Sequence, residues 1–158
     1  MDLPENFPPR NLTNMVSVDL SGSWKLVSSE NLDKFLKECG VGMVHRTMAS
    51  KVCPTVVIKQ DDKDNFEIAT KTTLNKQEMC FKVDEVFKGN IPWEKSDREM
   101  KASWEDEKLV IRMVDDTDGS GPVFARYLDG EQLVLAQSKK GVEAKRYFQR
   151  ILQTKEKE

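Results

Sequence analysis

From residue 55 to residue 151 the chain is a succession of short segments whose apolar residues recur at every second position, separated by polar turns. That periodicity belongs to strands, which show alternate side chains to opposite faces. The pattern covers residues 55–58, 66–70, 78–83, 84–87, 100–104, 109–114, 122–128, 132–137 and 142–151, and only residues 89–93 break it. Short strands at hairpin spacing, with no further helix among them, predict an antiparallel meander closed on itself. Ahead of the meander, Val18, Leu20 and residues 23–27 read as a first strand, with Gly22 a bulge or a point of close approach. Residues 28–31 (SSEN) offer capping chemistry for a helix carrying Leu32, Phe35 and Leu36, which Gly40 stops. A second helix is expected over residues 42–52, with Met43, Val44, Thr47 and Met48 on its apolar side and Pro54 ending it.

The closing strands carry the unusual chemistry. In GVEAKRYFQRIL (residues 141–152), Val142, Ala144, Arg146 and Phe148 share one face, while Glu143, Lys145, Tyr147 and Gln149 share the other. One hairpin earlier, Phe124, Arg126 and Leu128 alternate, Asp129-Gly130 turns the chain, and Leu133, Leu135 and Gln137 alternate on the return. Two arginines therefore fall on inward strand positions, where a cation is costly unless an anion or hydrogen-bonding partner meets it. Pattern alone leaves two readings open: a buried cationic site, or arginines paired with protein carboxylates or placed at strand ends.

The 158 residues suit one domain with a sizeable core. A net charge of −2, with both signs interspersed, gives no sequence-wide attraction to nucleic acid or an anionic membrane. Cys39, Cys53 and Cys80 have no metal-ligand spacing and read as reduced thiols of a cytosolic-type protein, in core or lid packing. No stretch has the length of a membrane span, and the proline-rich, acidic start lacks a signal-peptide core. We expect a flexible extension over residues 1–15, a domain over 16–152 and a solvated tail over 153–158. His45, the only histidine, has no nucleophile motif near it. The aspartates at 115, 116 and 118 fail calcium-loop spacing and read as a turn. Trp24 reads as a plug at the barrel end. No catalytic assembly and no cofactor motif emerges.

The stretch SGSWKLVSSENLDKFLKECGVG (residues 21–42) resembles the opening of the intracellular lipid-binding proteins, the fatty-acid-binding and cellular retinoid-binding family, and most resembles its adipocyte, myelin and heart type. KKGVEAKRYFQRI (residues 139–151) resembles that family's last strand, and MVSVDLSGSW, from Met15, resembles a typical family start. The resemblance runs over residues 16–151 and is weakest over 87–118. It implies a mostly β fold: a ten-stranded antiparallel β-clam barrel of the lipocalin-like (calycin) kind under a helix-turn-helix lid. It also implies a non-catalytic monomeric carrier, cytoplasmic and able to reach the nucleus, holding a long-chain fatty acid or related lipid, with a retinoid or acylamide as the alternative ligand. A signalling adaptor working through its lid surface is the alternative function. By the same resemblance Arg126 and Arg146 hold the ligand carboxylate. The family's tyrosine, two residues beyond the second arginine, is here Phe148, which brings a neutral or water-bridged head group into play with Gln137 as replacement donor. Leu32, Leu36, Val41 and Ala49 line the lid, Leu74 gates from the facing turn, and Pro54 matches an inward proline. Lys37 and Arg46 match two positions of a basic cluster tied to nuclear entry and a nuclear receptor partner, with Thr47 at the third. Lys34, Lys37 and Arg46 are expected to promote transient membrane contact.

Overall fold

The structure, a computed structural model, describes residues 18–73 and 75–152. The expected extension over residues 1–15, the tail over 153–158 and the gate residue Leu74 lie outside them. Ten strands and two helices follow one another: β1 (Gly22–Glu30), α1 (Leu32–Glu38), α2 (Met43–Lys51), β2 (Thr55–Asp61), β3 (Asn65–Lys71), β4 (Lys76–Lys82), β5 (Val86–Gly89), β6 (Arg98–Glu105), β7 (Lys108–Met113), β8 (Val123–Asp129), β9 (Gln132–Lys139) and β10 (Val142–Arg150). They pair antiparallel in the order β4-β3-β2-β1-β10-β9-β8-β7-β6-β5. The expected ten-stranded meander is present, and its first strand closes on its last.

The two edge strands, β4 and β5, are consecutive in the chain yet have no backbone ladder between them. The chain is drawn apart at their connection, because Val83 N–H donates to the Asp64 carbonyl and Asp84 N–H to the Ala102 carbonyl, on opposite sides of the opening. Side chains bridge it instead. Phe81 of β4 stacks on Phe87 of β5 with ring centroids 4.6 Å apart, and Phe66 stacks on Phe81 at 5.3 Å. Gly89 is needed here: a Cβ on it would meet the Met100 sulfur at 2.6 Å and the Met79 sulfur at 3.2 Å. Finally Gln77 Nε2 donates to Asn90 Oδ1 at 2.7 Å. Successive inward positions of β4 thus each find a partner across an opening that backbone bonds leave unclosed.

At the end of the barrel Trp24 is fully buried, and its indole N–H donates to the Leu20 carbonyl at 3.1 Å. Arg150 lies over its ring at 4.2 Å, in a place where a Cβ on Gly22 would come within 2.3 Å of a guanidinium nitrogen. Gly22, at φ 137°, is therefore the close-approach point expected of it.

Three local expectations are corrected. β1 runs on through Glu30, so residues 28–30 are strand and not a cap. Asn31 precedes α1 with φ 62° and makes no side-chain cap; its amide donates instead to the Glu143 carbonyl at 2.8 Å, tying the lid to the β9–β10 hairpin. The expected apolar side of α2 is not buried: Met43, Val44 and Met48 are 71%, 71% and 54% exposed. Only Cys39 packs partly against the core, while Cys53 and Cys80 are exposed, so the packing role expected of those two fails.

Candidate functional site

Inside the barrel lies a cavity of about 140 Å³ whose wall includes Pro54, Arg126, Gln137, Arg146 and Phe148. Register explains why these come together. Arg126 on β8 and Arg146 on β10 both pair with Leu135 of the intervening β9, which puts the two arginines in one row, two strand spacings or roughly 10 Å apart. Gln137 lies two residues along β9 on the same face, beside Phe124 and Ala144. Phe148 pairs with Leu133 and is 2% exposed. Tyr147 points away, its hydroxyl donating to Glu30 at 3.0 Å. The departure from the family tyrosine is therefore a real change in the wall: an apolar ring stands where a hydroxyl is expected, and Tyr147 cannot replace it.

Arg126 carries its charge in the cavity wall, and burial pushes its pKa down to about 10. Its Nη1 has no hydrogen-bond partner among the described residues, and neither does Gln137 Oε1. Buried polar atoms are almost always satisfied, so orphans on the wall of a cavity point to a guest that supplies the missing bonds. A carboxylate satisfies Arg126 but offers no hydrogen to an amide oxygen. A water donating to both carboxylate and Gln137 completes the set, and a head group with its own N–H or O–H does so directly. The orphan on Gln137 is thus an acceptor, although the sequence singled the residue out as a donor. Arg146 donates from Nε to Ser29 Oγ at 3.2 Å, and burial lowers its pKa while the nearby Cys53 thiol opposes that shift. Of the two open readings, pairing with protein carboxylates falls away: neither arginine is in an ion pair among the described residues.

The lid residues have a different station. Leu32 and Leu36 are buried in the hydrophobic core, and Val41 and Ala49 pack against it, but none of the four borders the cavity. The lid is instead fastened by Phe35, fully buried and edge-on to Trp93 at 5.8 Å, with Trp93 in turn 6.4 Å from the cavity-wall ring of Phe124. Arg46 is not a free surface cation: it bonds Asp33 Oδ1 at 2.8 Å and the Val41 carbonyl at 2.7 Å, and its side chain is 13% exposed. Its expected part in a basic lid surface falls to the exposed Lys34 and Lys37.

Sequence reasoning missed Thr70, Gln77 and Asn90, polar side chains in the same wall, and Met79 and Met100, whose flexible thioethers fill its interior. Gln77 had a readable signal, since it shares alternation with Met79 and Phe81. Among the described residues no group of acidic, cysteine or histidine side chains is placed to hold a metal ion, and no helix is long and apolar enough to cross a membrane.

Comparison with known proteins agrees with this architecture. The family model described as lipocalin/cytosolic fatty-acid binding protein matches residues 21–156. Fatty acid-binding protein 12 of Mus musculus is 33% identical over 132 residues, 84% of this chain and 97% of that protein. Cellular retinoic acid-binding protein 2 of Rattus norvegicus is 33% identical over 138 residues, 84% of this chain and 98% of its own length. A solved structure of the Schistosoma mansoni fatty acid binding protein with arachidonic acid superposes with TM-score 0.73 at 26% identity, covering 84% of this chain and 96% of that one. These relatives are named for what they bind and not for a reaction, in line with the non-catalytic role expected from sequence. The chain belongs to the lipocalin/cytosolic fatty-acid binding protein family.

Proposed function

We propose that this protein is a carrier that encloses a long-chain fatty acid or a closely related lipid acid, with Arg126 and Arg146 meeting the head group. The observation that carries the reading is the buried, orphaned Nη1 of an arginine in the cavity wall that forms no ion pair among the described residues. Relatives named for fatty acids and for retinoic acid share one head group, a carboxylate, and that is the group Arg126 lacks. The tail supplies most of the affinity. Each buried methylene is worth about 0.8 kcal/mol, so a long chain offers more than ~10 kcal/mol gross, while immobilisation cancels a substantial part. Micromolar binding needs only about 8 kcal/mol net. Family membership supports a cytoplasmic location, and delivery to a membrane through the lid fits the exposed face of α2. Calorimetry on delipidated protein with a range of chain lengths tests the proposal; submicromolar to micromolar, one-to-one binding is expected, and no heat with any acid would overturn it.

A further inference from the structure

We infer that the cavity is polar at two opposite poles and that its preferred guest is a long-chain lipid acid carrying a second, uncharged oxygen function, a hydroxyl or a carbonyl, on its tail. The inference rests on the carrier reading above, because it takes the arginines as the acid pole. In the order of the ten strands the opening lies between β4 and β5, and the point halfway round the ring is the seam of β9 and β10. Arg146 and Gln137 belong to that seam, with Arg126 on the adjoining strand. Gln77 and Asn90 belong to the opening, and both border the same cavity. Thr70, also on the wall, pairs directly with Gln77. Apolar side chains, among them Met79, Met100 and Phe124, complete the wall.

The bond between Gln77 and Asn90 has a structural use as a stitch across the opening, but it accounts for one hydrogen and one lone pair. Each amide carries two N–H donors and an oxygen with two lone pairs, so most of this capacity, with the Thr70 hydroxyl, remains at the wall. A plain hydrocarbon laid against it removes water and returns no bond, whereas an oxygen on the tail returns one or two. Charge narrows the class further. The cations on the cavity wall, Arg126 and Arg146, stand at the other pole, and the acid bordering this one, Glu78, is engaged by Lys76 at 3.2 Å. Amides and a hydroxyl with no cation of the wall beside them suit a neutral oxygen and offer a second acid group no counter-charge.

The test is competitive displacement on the full-length delipidated protein, using octadecanoic acid, its methyl ester and a positional series of monohydroxy-octadecanoic acids. One hydroxyl position is expected to bind about three- to tenfold tighter than the parent acid. That advantage, read for each protein as the ratio of hydroxy-acid to parent-acid affinity, should vanish in Gln77→Met and Asn90→Leu. A preference of acid over ester with no hydroxyl position favoured in the wild type, an arm that needs no variant to fold, overturns the inference alone. A hydroxyl preference that survives both substitutions overturns it as well. No preference for acid over ester overturns the assignment of the arginines as the acid pole, and the inference with it, while carriage itself stands or falls on the calorimetry above.

Discussion

At the scale of the single residue the proposed head-group recognition turns on Arg126. Its lowered pKa means that the unfolded chain keeps this proton to higher pH than the folded one. From about 10 upward the unfolded state binds more protons, so this group makes stability rise with pH there, and below about 10 the full cost of the buried cation persists. Arg126→Met is therefore expected to stabilise the ligand-free protein by about 1–3 kcal/mol at neutral pH while weakening fatty-acid binding. Denaturation midpoints with and without a fatty acid should move in opposite directions; a fall in both would mean the arginine is structural. Phe148→Tyr places a hydroxyl in the wall beside the arginines and should tighten acid binding by about 0.5–1.5 kcal/mol, with little change for a methyl ester, which titration calorimetry resolves. Both arginines and Phe148 were legible because strand alternation fixes inward and outward positions locally. Asn90 was not, since it follows β5 outside any strand and meets Gln77 only because two sequence neighbours decline to pair. Arg46 was misread for a related reason: its helix position shows a cation, and only the packing of α2 on α1 shows Asp33 beside it.

The elements that move, or bound movement, are the lid and the opening between β4 and β5. Arg46 joins α1 to α2 through Asp33 and the Val41 carbonyl, so Arg46→Ala should loosen the lid and speed ligand entry and exit together. Stopped-flow traces should show both rates several-fold faster, with the dissociation constant changed less than either. The exposed Met43, Val44 and Met48 lie on α2, with Lys34 and Lys37 exposed on α1 before it, a combination suited to an anionic bilayer surface. Ligand transfer to anionic vesicles should be faster than to neutral ones and should slow as salt rises; insensitivity to both would indicate release into water. Gly89→Ala pushes the Met100 and Met79 thioethers aside, and they can yield only into the cavity or across the opening. Weaker ligand binding at a modest stability cost of about 1 kcal/mol is expected, read from calorimetry and thermal melts. The order of elements was visible in the sequence because hairpin spacing and turn residues are local. The unpaired β4–β5 edge was not, because it is decided by where Val83 and Asp84 send their N–H groups.

For the whole molecule, the barrel sets a small interior against a large guest. The cavity, at about 140 Å³, falls below the ~300–1,000 Å³ usual for ligand sites. On the proposed reading a long chain needs more room, which Met79 and Met100 of the wall can give by changing rotamer at low cost. On that reading fold and charge divide the work: the apolar wall would give affinity, and the row formed by Arg126, Leu135 and Arg146 would give orientation. The most direct test of that division is the ratio of affinities for a fatty acid and its methyl ester, measured for the wild type, Arg126→Ala, Arg146→Ala and the double variant. The ratio should be well above one in the wild type and fall in each single variant. Because both arginines act on one anion, the double variant should lose less than the sum of the two. A ratio that stays constant across all four proteins would contradict the account, since the arginines would then not read the head group at all.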